Sequence, residues 1–192
     1  MHPLLAAHLR KKATFTEAEL AAIDAVGKPF SLKRKERLLE PGNICRFEAF
    51  ITKGVLRSYT TDAKGSEHTN QLAFEDHWVG DLYSSATNTP SILCIEAIEP
   101  SDGILFNRAD MEQLYQTIPA MNTVMRILLQ NAYVALQRRH NATLSISAEE
   151  RYLHLLNNQP NIIQRVPLVH IASYLGITPE SLSRIRRQLK HA

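Results

Sequence analysis

The stretch IASYLGITPESLSR, Ile171 to Arg184, decides how the chain is read. Ala172, Leu175, Gly176 and Leu182 are spaced like two short helices meeting at a glycine turn. Leu168, Ile171, Ala172 and Leu175 give the first helix an apolar face, and Pro167 suits its first turn. Gly176 ends that helix, because glycine enters the left-handed conformation without steric cost. Thr178 then caps a second helix, with Pro179 at its first position. On a wheel of about 100° per residue, Leu182, Ile185 and Leu189 fall on one side. Glu180, Arg184, Arg187, Gln188 and His191 fall on the other. Two helices joined in this way form a helix-turn-helix, whose second helix brings its N-terminal residues to base edges in the major groove of DNA.

The residue types on that polar side fit the task. A carboxylate accepts from cytosine N4, and a guanidinium bridges guanine O6 and N7. Glu180 and Arg184, one turn apart, are placed to read adjacent positions. Ser183 reaches a phosphate or a base edge, while Arg187, Lys190 and the helix N-terminus suit phosphates. The candidate DNA-binding set is therefore Thr178, Glu180, Ser181, Ser183, Arg184, Arg187 and Lys190. The plainer alternative is a surface ion pair between Glu180 and Arg184, worth about 0.3–0.5 kcal/mol.

The rest of the chain supplies context. Its 192 residues suffice for one large domain or two small ones, and 44% hydrophobic with 21% charged residues is an ordinary globular composition. The net charge of +3 is uneven: residues 146–192 hold 6 Lys/Arg against 3 Asp/Glu, whereas residues 1–109 hold 13 against 14. The positive excess lies with the helix-turn-helix, as a polyanionic partner would require. His8 and Arg-Lys-Lys break the N-terminal apolar run, so no signal peptide is expected. No stretch reaches the roughly 20 apolar residues that span a bilayer. Two cysteines, Cys45 and Cys94, give neither metal spacing nor a disulfide framework. A cytoplasmic protein without membrane contact is the expectation.

Three regions follow from periodicity. After a helical start at Glu17 to Val26, residues 29 to 107 read as strands. Turns fall at Lys53-Gly54 and Asp62-Ala63-Lys64-Gly65, with further turn clusters after Leu39, around Thr87 and at Glu99. Val55, Arg57 and Tyr59 alternate with Leu56 and Ser58, and His68, Asn70, Leu72 and Phe74 share a face. Many short strands of this kind suggest a sandwich or jelly roll. From Asp110 the period becomes helical, and Pro119 interrupts it. Ala120 to about Leu144 then reads as one long helix. Met121, Met125, Leu128, Ala132 and Ala135 form a coiled-coil seam suited to a twofold partner. Val124, Leu129, Tyr133 and Leu136 lie off it, suited to cover the β region. Ser147 and Glu150 form a capping box that opens the third region.

In its residues from about 15 to 190, and most closely in IASYLGITPESLSRIRRQL, the chain resembles the Crp/Fnr family of bacterial transcription regulators. That family's recognition helix carries a Glu and an Arg four apart, here Glu180 and Arg184. Ser183 before the Arg matches the Fnr-like variant. The resemblance implies an α+β fold with three parts. These are a cyclic-nucleotide-binding-like jelly-roll effector domain (1–109), a connecting dimerisation helix (110–145) and a helix-turn-helix domain (146–192). The wing is expected to be reduced, since little sequence flanks the motif. It also implies a homodimer on an inverted repeat of double-stranded DNA, with RNA polymerase and an unknown small-molecule effector as candidate further partners.

The effector pocket departs from the family pattern. Cyclic-AMP-binding members carry Gly-Glu-Leu followed about ten residues later by Arg-Ser. Here Gly80, Asp81 and Leu82 resemble the first half, but Pro90 and Ser91 stand where Arg-Ser would be. Gly80, Asp81, Leu82 and Ser91 are the candidate pocket, with no cation to pair a cyclic phosphate. An iron–sulfur centre lacks its cysteines. A cupin-like metal enzyme on the β-roll would need a His-x-His pair, which neither His68 nor His77 provides. No nucleophile–base arrangement is visible. No cofactor, metal or catalytic residue is therefore assigned. A ligand-independent protein-binding module is the other alternative.

Overall fold

The computed structural model describes residues 1–189. Lys190, one of the candidate DNA-binding residues, lies outside them. The strands are β1 (Lys28–Leu32), β2 (Arg37–Leu39), β3 (Phe47–Lys53), β4 (Leu56–Thr61), β5 (Glu67–Ala73), β6 (Trp78–Val79), β7 (Cys94–Ala97) and β8 (Ser101–Asn107). They form two antiparallel four-stranded sheets, ordered β1-β8-β3-β6 and β2-β7-β4-β5. Leu39, Ala49, Ile51, Leu56, Ala73 and Ile95 fill the space between them. The fold is thus the α+β arrangement of a β-roll followed by helices.

The helices are α1 (Pro3–Arg10), α2 (Glu17–Val26), α3 (Leu82–Thr87), α4 (Arg108–Thr117), α5 (Pro119–Ser145), α6 (Ala148–Asn158), α7 (Ile162–Arg165), α8 (Leu168–Leu175) and α9 (Pro179–Leu189). Three of them depart from the sequence reading. The short α1 precedes the expected helical start and buries Leu5, His8 and Leu9. The short α3 interrupts the strand region, and α7 forms within the link before Pro167. Helices this short draw their stability from the core they cover rather than from propensity. The capping box of Ser147 and Glu150 is present on α6. No strand follows β8 among the described residues, so no wing flanks the helix-turn-helix there.

Two face assignments change. A bulge between Ser58 and Tyr59 sets Thr69, not Asn70, opposite Tyr59. The extra residue breaks the alternation read from His68 to Phe74. On α5, Met121 and Val124 are buried against the roll, with Met125 and Leu128 packed partly beside them. Leu129, Tyr133 and Leu136 are instead 42%, 62% and 56% exposed. Met121, Met125 and Leu128 of the expected seam therefore pack inward beside Val124, which covers the roll as expected, whereas the other residues expected to cover it are exposed. Leu129, Tyr133 and Leu136 repeat the 4-3 spacing of the seam, so spacing alone does not say which stripe is buried.

The helix-turn-helix rests on the β-roll. Val55, Leu72, Phe74 and Ile98 of the roll share one core with Tyr152, Ile162, Val166 and Ile171. Two backbone groups of β5 are satisfied by one hydroxyl: Ser173 Oγ accepts from Thr69 N at 2.8 Å and donates to Glu67 O at 2.7 Å. Arg165 reaches Glu75 at 2.7 Å and Glu99 at 2.5 Å, and its guanidinium holds the Glu75 carboxyl down to about 2.

Beneath α8 lies Arg57, 3% exposed. It pairs with Glu67 at 2.6 Å and Glu96 at 3.1 Å, and lies 3.9 Å from the Tyr59 ring centroid. Its NH1 also donates to His170 Nδ1 on α8 at 2.9 Å. That bond needs an unprotonated Nδ1, and burial, then the Arg57 charge, pushes the His170 pKa down.

Candidate nucleic-acid interface and effector cleft

The turn between α8 and α9 is built by backbone bonds that the sequence permits. Gly176 has φ +69°, and a Cβ there would meet nothing within 4 Å, so conformation rather than space requires glycine. Ile177 N bonds Ala172 O at 3.0 Å and Gly176 N bonds Ser173 O at 3.1 Å. These are the paired bonds of a Schellman helix end. Thr178 Oγ1 accepts from Ser181 N at 3.2 Å and so caps α9.

Leu182 anchors α9 in the core, with Ile185 and Leu189 packed partly beside it. Opposite them, Thr178, Glu180, Ser183, Arg184 and Arg187 are exposed, while Ser181 is half-buried with its hydroxyl bonded to Thr178. Glu180, Ser183, Arg184 and Arg187 line one shallow hollow with Pro179. Glu180 and Arg184 form no ion pair with each other. The Glu180 carboxyl instead turns to its own backbone N–H and Thr178, which hold it below the ordinary carboxylate range. The arrangement presents a carboxylate and two guanidiniums to solvent from one helix face.

Of the four candidate pocket residues, Gly80, Asp81 and Leu82 line one cleft, and Ser91 is buried against Asp81. Asp81 Oδ1 accepts from Ser84 N at 3.1 Å, capping α3, and Asp81 Oδ2 accepts from Ser91 Oγ at 2.6 Å. Both carboxylate oxygens are thus engaged inside the turn, and Asp81 and Ser91 are buried. A carboxylate seated on the N-terminus of α3 takes the place an anion would use there. Leu82 points outward, 61% exposed, and Gly80 is packed so that a Cβ would lie 3.2 Å from Phe47 O.

A larger cleft, of about 980 Å³, opens beside this turn between the roll and α5. Trp78 and Glu48 line its sheet side, and Leu128, Ala132 and Ala135 line its helix side. Trp78 and Glu48 belong to no motif singled out in the sequence. Trp78 is half-buried, packed beside Phe50 and Phe106. Its Nε1 donates to His8 Nε2 at 3.1 Å, and His8 Nδ1 meets Asp76 at 2.7 Å.

Burial pushes the Glu48 pKa up from 4.5 to about 7, with Glu112 adding to the shift. The folded chain therefore binds more protons than the unfolded chain between pH 4.5 and 7. That contribution to stability is full below the unfolded value and is lost as pH rises through the folded one. Glu48→Gln is expected to raise the melting temperature at pH 8 and to change it little at pH 4.5. A gap of equal size at both pH values would assign the difference to packing instead.

No protein-family model matches the sequence, and no curated protein matches it. Solved structures do match its fold. The c-di-GMP-responsive global regulator CLP of Xanthomonas campestris is 12% identical, covers 92% of each chain and has a TM-score of 0.75. FixK2 of Bradyrhizobium japonicum is 21% identical over 86% of this chain and 85% of that one, with a TM-score of 0.68. A protein of Eubacterium rectale assigned to the crp/fnr family is 17% identical over 92% of this chain and 84% of that one, with a TM-score of 0.69. The chain has the fold of the Crp/Fnr regulators, with a β-roll, a long helix and C-terminal helices in that order.

Proposed function

We propose that the chain is a sequence-specific DNA-binding transcription regulator acting in the cytoplasm as a homodimer, with the β-roll as effector domain and residues from 146 onward as the DNA-reading module. The observation that carries this reading is the exposed row Glu180, Ser183, Arg184 and Arg187 on α9. The opposite face of that helix is packed into a helix-turn-helix with a Schellman turn. The similar structures include proteins described as transcription regulators, which supports the same reading. Selection from random duplexes followed by sequencing tests it. The expected result is an inverted repeat with half-sites about 34 Å apart, one turn of DNA. Binding should weaken steeply with salt, as counterion release requires. Recovery of no enriched sequence would remove the function.

The twofold contact runs through the exposed stripe Leu129, Tyr133 and Leu136 of α5, centred on Tyr133. A helix apolar on two sides needs a second partner for the side its own chain leaves uncovered. Tyr133→Glu is expected to give monomers in sedimentation, while Leu128→Glu disturbs the cleft and leaves the dimer. The reverse outcome would move the contact to the inward stripe.

A further inference from the structure

We infer that the cleft between the β-roll and α5 binds a small amphipathic amine, with its cationic head on Glu48 and its apolar body along Leu128 and Ala132. This deepens the regulator reading by naming the class of effector. The charges in the cleft select the sign of the ligand. Three carboxylates line it, Glu48, Asp76 and Asp81, against the single guanidinium of Arg139. Arg139 is engaged, donating to Asn70 O and lying 5.3 Å from the Tyr174 ring centroid. Asp76 is paired with His8 at 2.7 Å and Lys11 at 3.9 Å, and Asp81 is held by Ser84 and Ser91.

Among the three, Glu48 is the carboxyl with neither a cation nor a close hydrogen bond among the described residues. Its one hydrogen bond comes from Tyr115 OH at 3.5 Å, at the limit of such a bond. The strand register places it for a ligand. Ala49 pairs with Val79 and Phe50 with Trp78, so Glu48 stands opposite Gly80, which presents no side chain over it. Trp78 is its diagonal neighbour on the same sheet face, within reach of a group bound to Glu48. A carboxylate beside an indole suits an ammonium, because the cation gains both the ion pair and the ring face. A phosphate or carboxylate would meet the opposite field.

The groups facing Glu48 from α4 are Tyr115 and Glu112, neither of them cationic. A bound ammonium supplies the missing positive charge and favours the ionised carboxyl. Amine affinity should therefore rise between pH 6 and pH 8, where the carboxyl titrates and the amine stays protonated.

Trp78 is the single tryptophan of the chain and lines the cleft, so its emission reports occupancy without DNA. The test is titration of the full chain with n-octylamine, n-octanol, n-octanoate and cyclic AMP at pH 8. Octylamine is expected to saturate at least tenfold tighter than the other three. In Glu48→Gln the preference for amine over octanol should fall to within twofold, with the pH dependence gone. Ala132→Phe, which fills the cleft from the helix side, should abolish saturation by every probe, with an unchanged far-ultraviolet circular dichroism spectrum. Tighter binding of octanoate or cyclic AMP, no saturation by octylamine, or an amine preference that survives in Glu48→Gln would each overturn the inference. Because the readout needs no DNA, these failures are distinct from a failure of the duplex selection.

Discussion

Arg184→Ala is expected to lose about 1–3 kcal/mol of affinity on the preferred duplex, roughly a five- to 150-fold rise in Kd, and to flatten the preference at one G·C pair. The exposed Arg184 guanidinium has no carboxylate partner on Glu180, so it meets DNA without first breaking an ion pair. Arg187 lies almost a turn later, where such a helix leaves the bases for the backbone. Arg187→Ala should weaken all sequences alike and reduce the salt slope by about one. Comparing enrichment profiles of the wild type and the two variants separates the roles. A wild-type profile from Arg184→Ala would return the residue to surface decoration, where its removal shifts stability by only a few tenths of a kcal/mol.

Arg57→Met should be the most damaging single change to the framework. It removes a buried cation while leaving Glu96, with a side chain 13% exposed, and the more open Glu67. Stranding one partner of a buried pair costs about 3–5 kcal/mol, and the exposure of Glu67 lowers the expectation to about 2–4 kcal/mol. For a chain of this size that corresponds to a melting temperature lower by roughly 5–12 °C. The same change takes the donor from His170 Nδ1, so the seating of α8 on β5 should loosen as well. Hydrogen exchange at Thr69, whose amide is bonded to Ser173, reads that loosening directly. The double variant Arg57→Met with Glu96→Leu should recover part of the loss, because the stranded charge is gone. A loss below about 1 kcal/mol from Arg57→Met alone would mean that water already screens the cluster.

Local chemistry made much of the C-terminal end legible. Gly176, Thr178, Pro179 and the capping box at Ser147 act within a few residues of themselves, so their effects are written in the order of the chain. The polar row on α9 followed from the period of a helix. Where contacts are long-range, the sequence left alternatives that only packing resolved. Met125 and Leu128 share their 3.5-residue spacing with Leu129, Tyr133 and Leu136, and packing set the first pair beside Met121 and Val124. Asp81 and Ser91 are candidate pocket residues through the family resemblance, and only folding shows that they bond each other at 2.6 Å. Arg57 reads as an alternating strand residue, and its burial exists only because α8 closes over it. Glu48 belongs to no motif; it became a candidate ligand group through a strand register that sets Gly80 opposite it and an α5 placed across the cleft. The sequence by itself determined the caps, the turn and the polar face of α9, because backbone sterics and helical period act over a turn or two. Tertiary structure alone decided which faces are buried, since burial depends on what another part of the chain brings near.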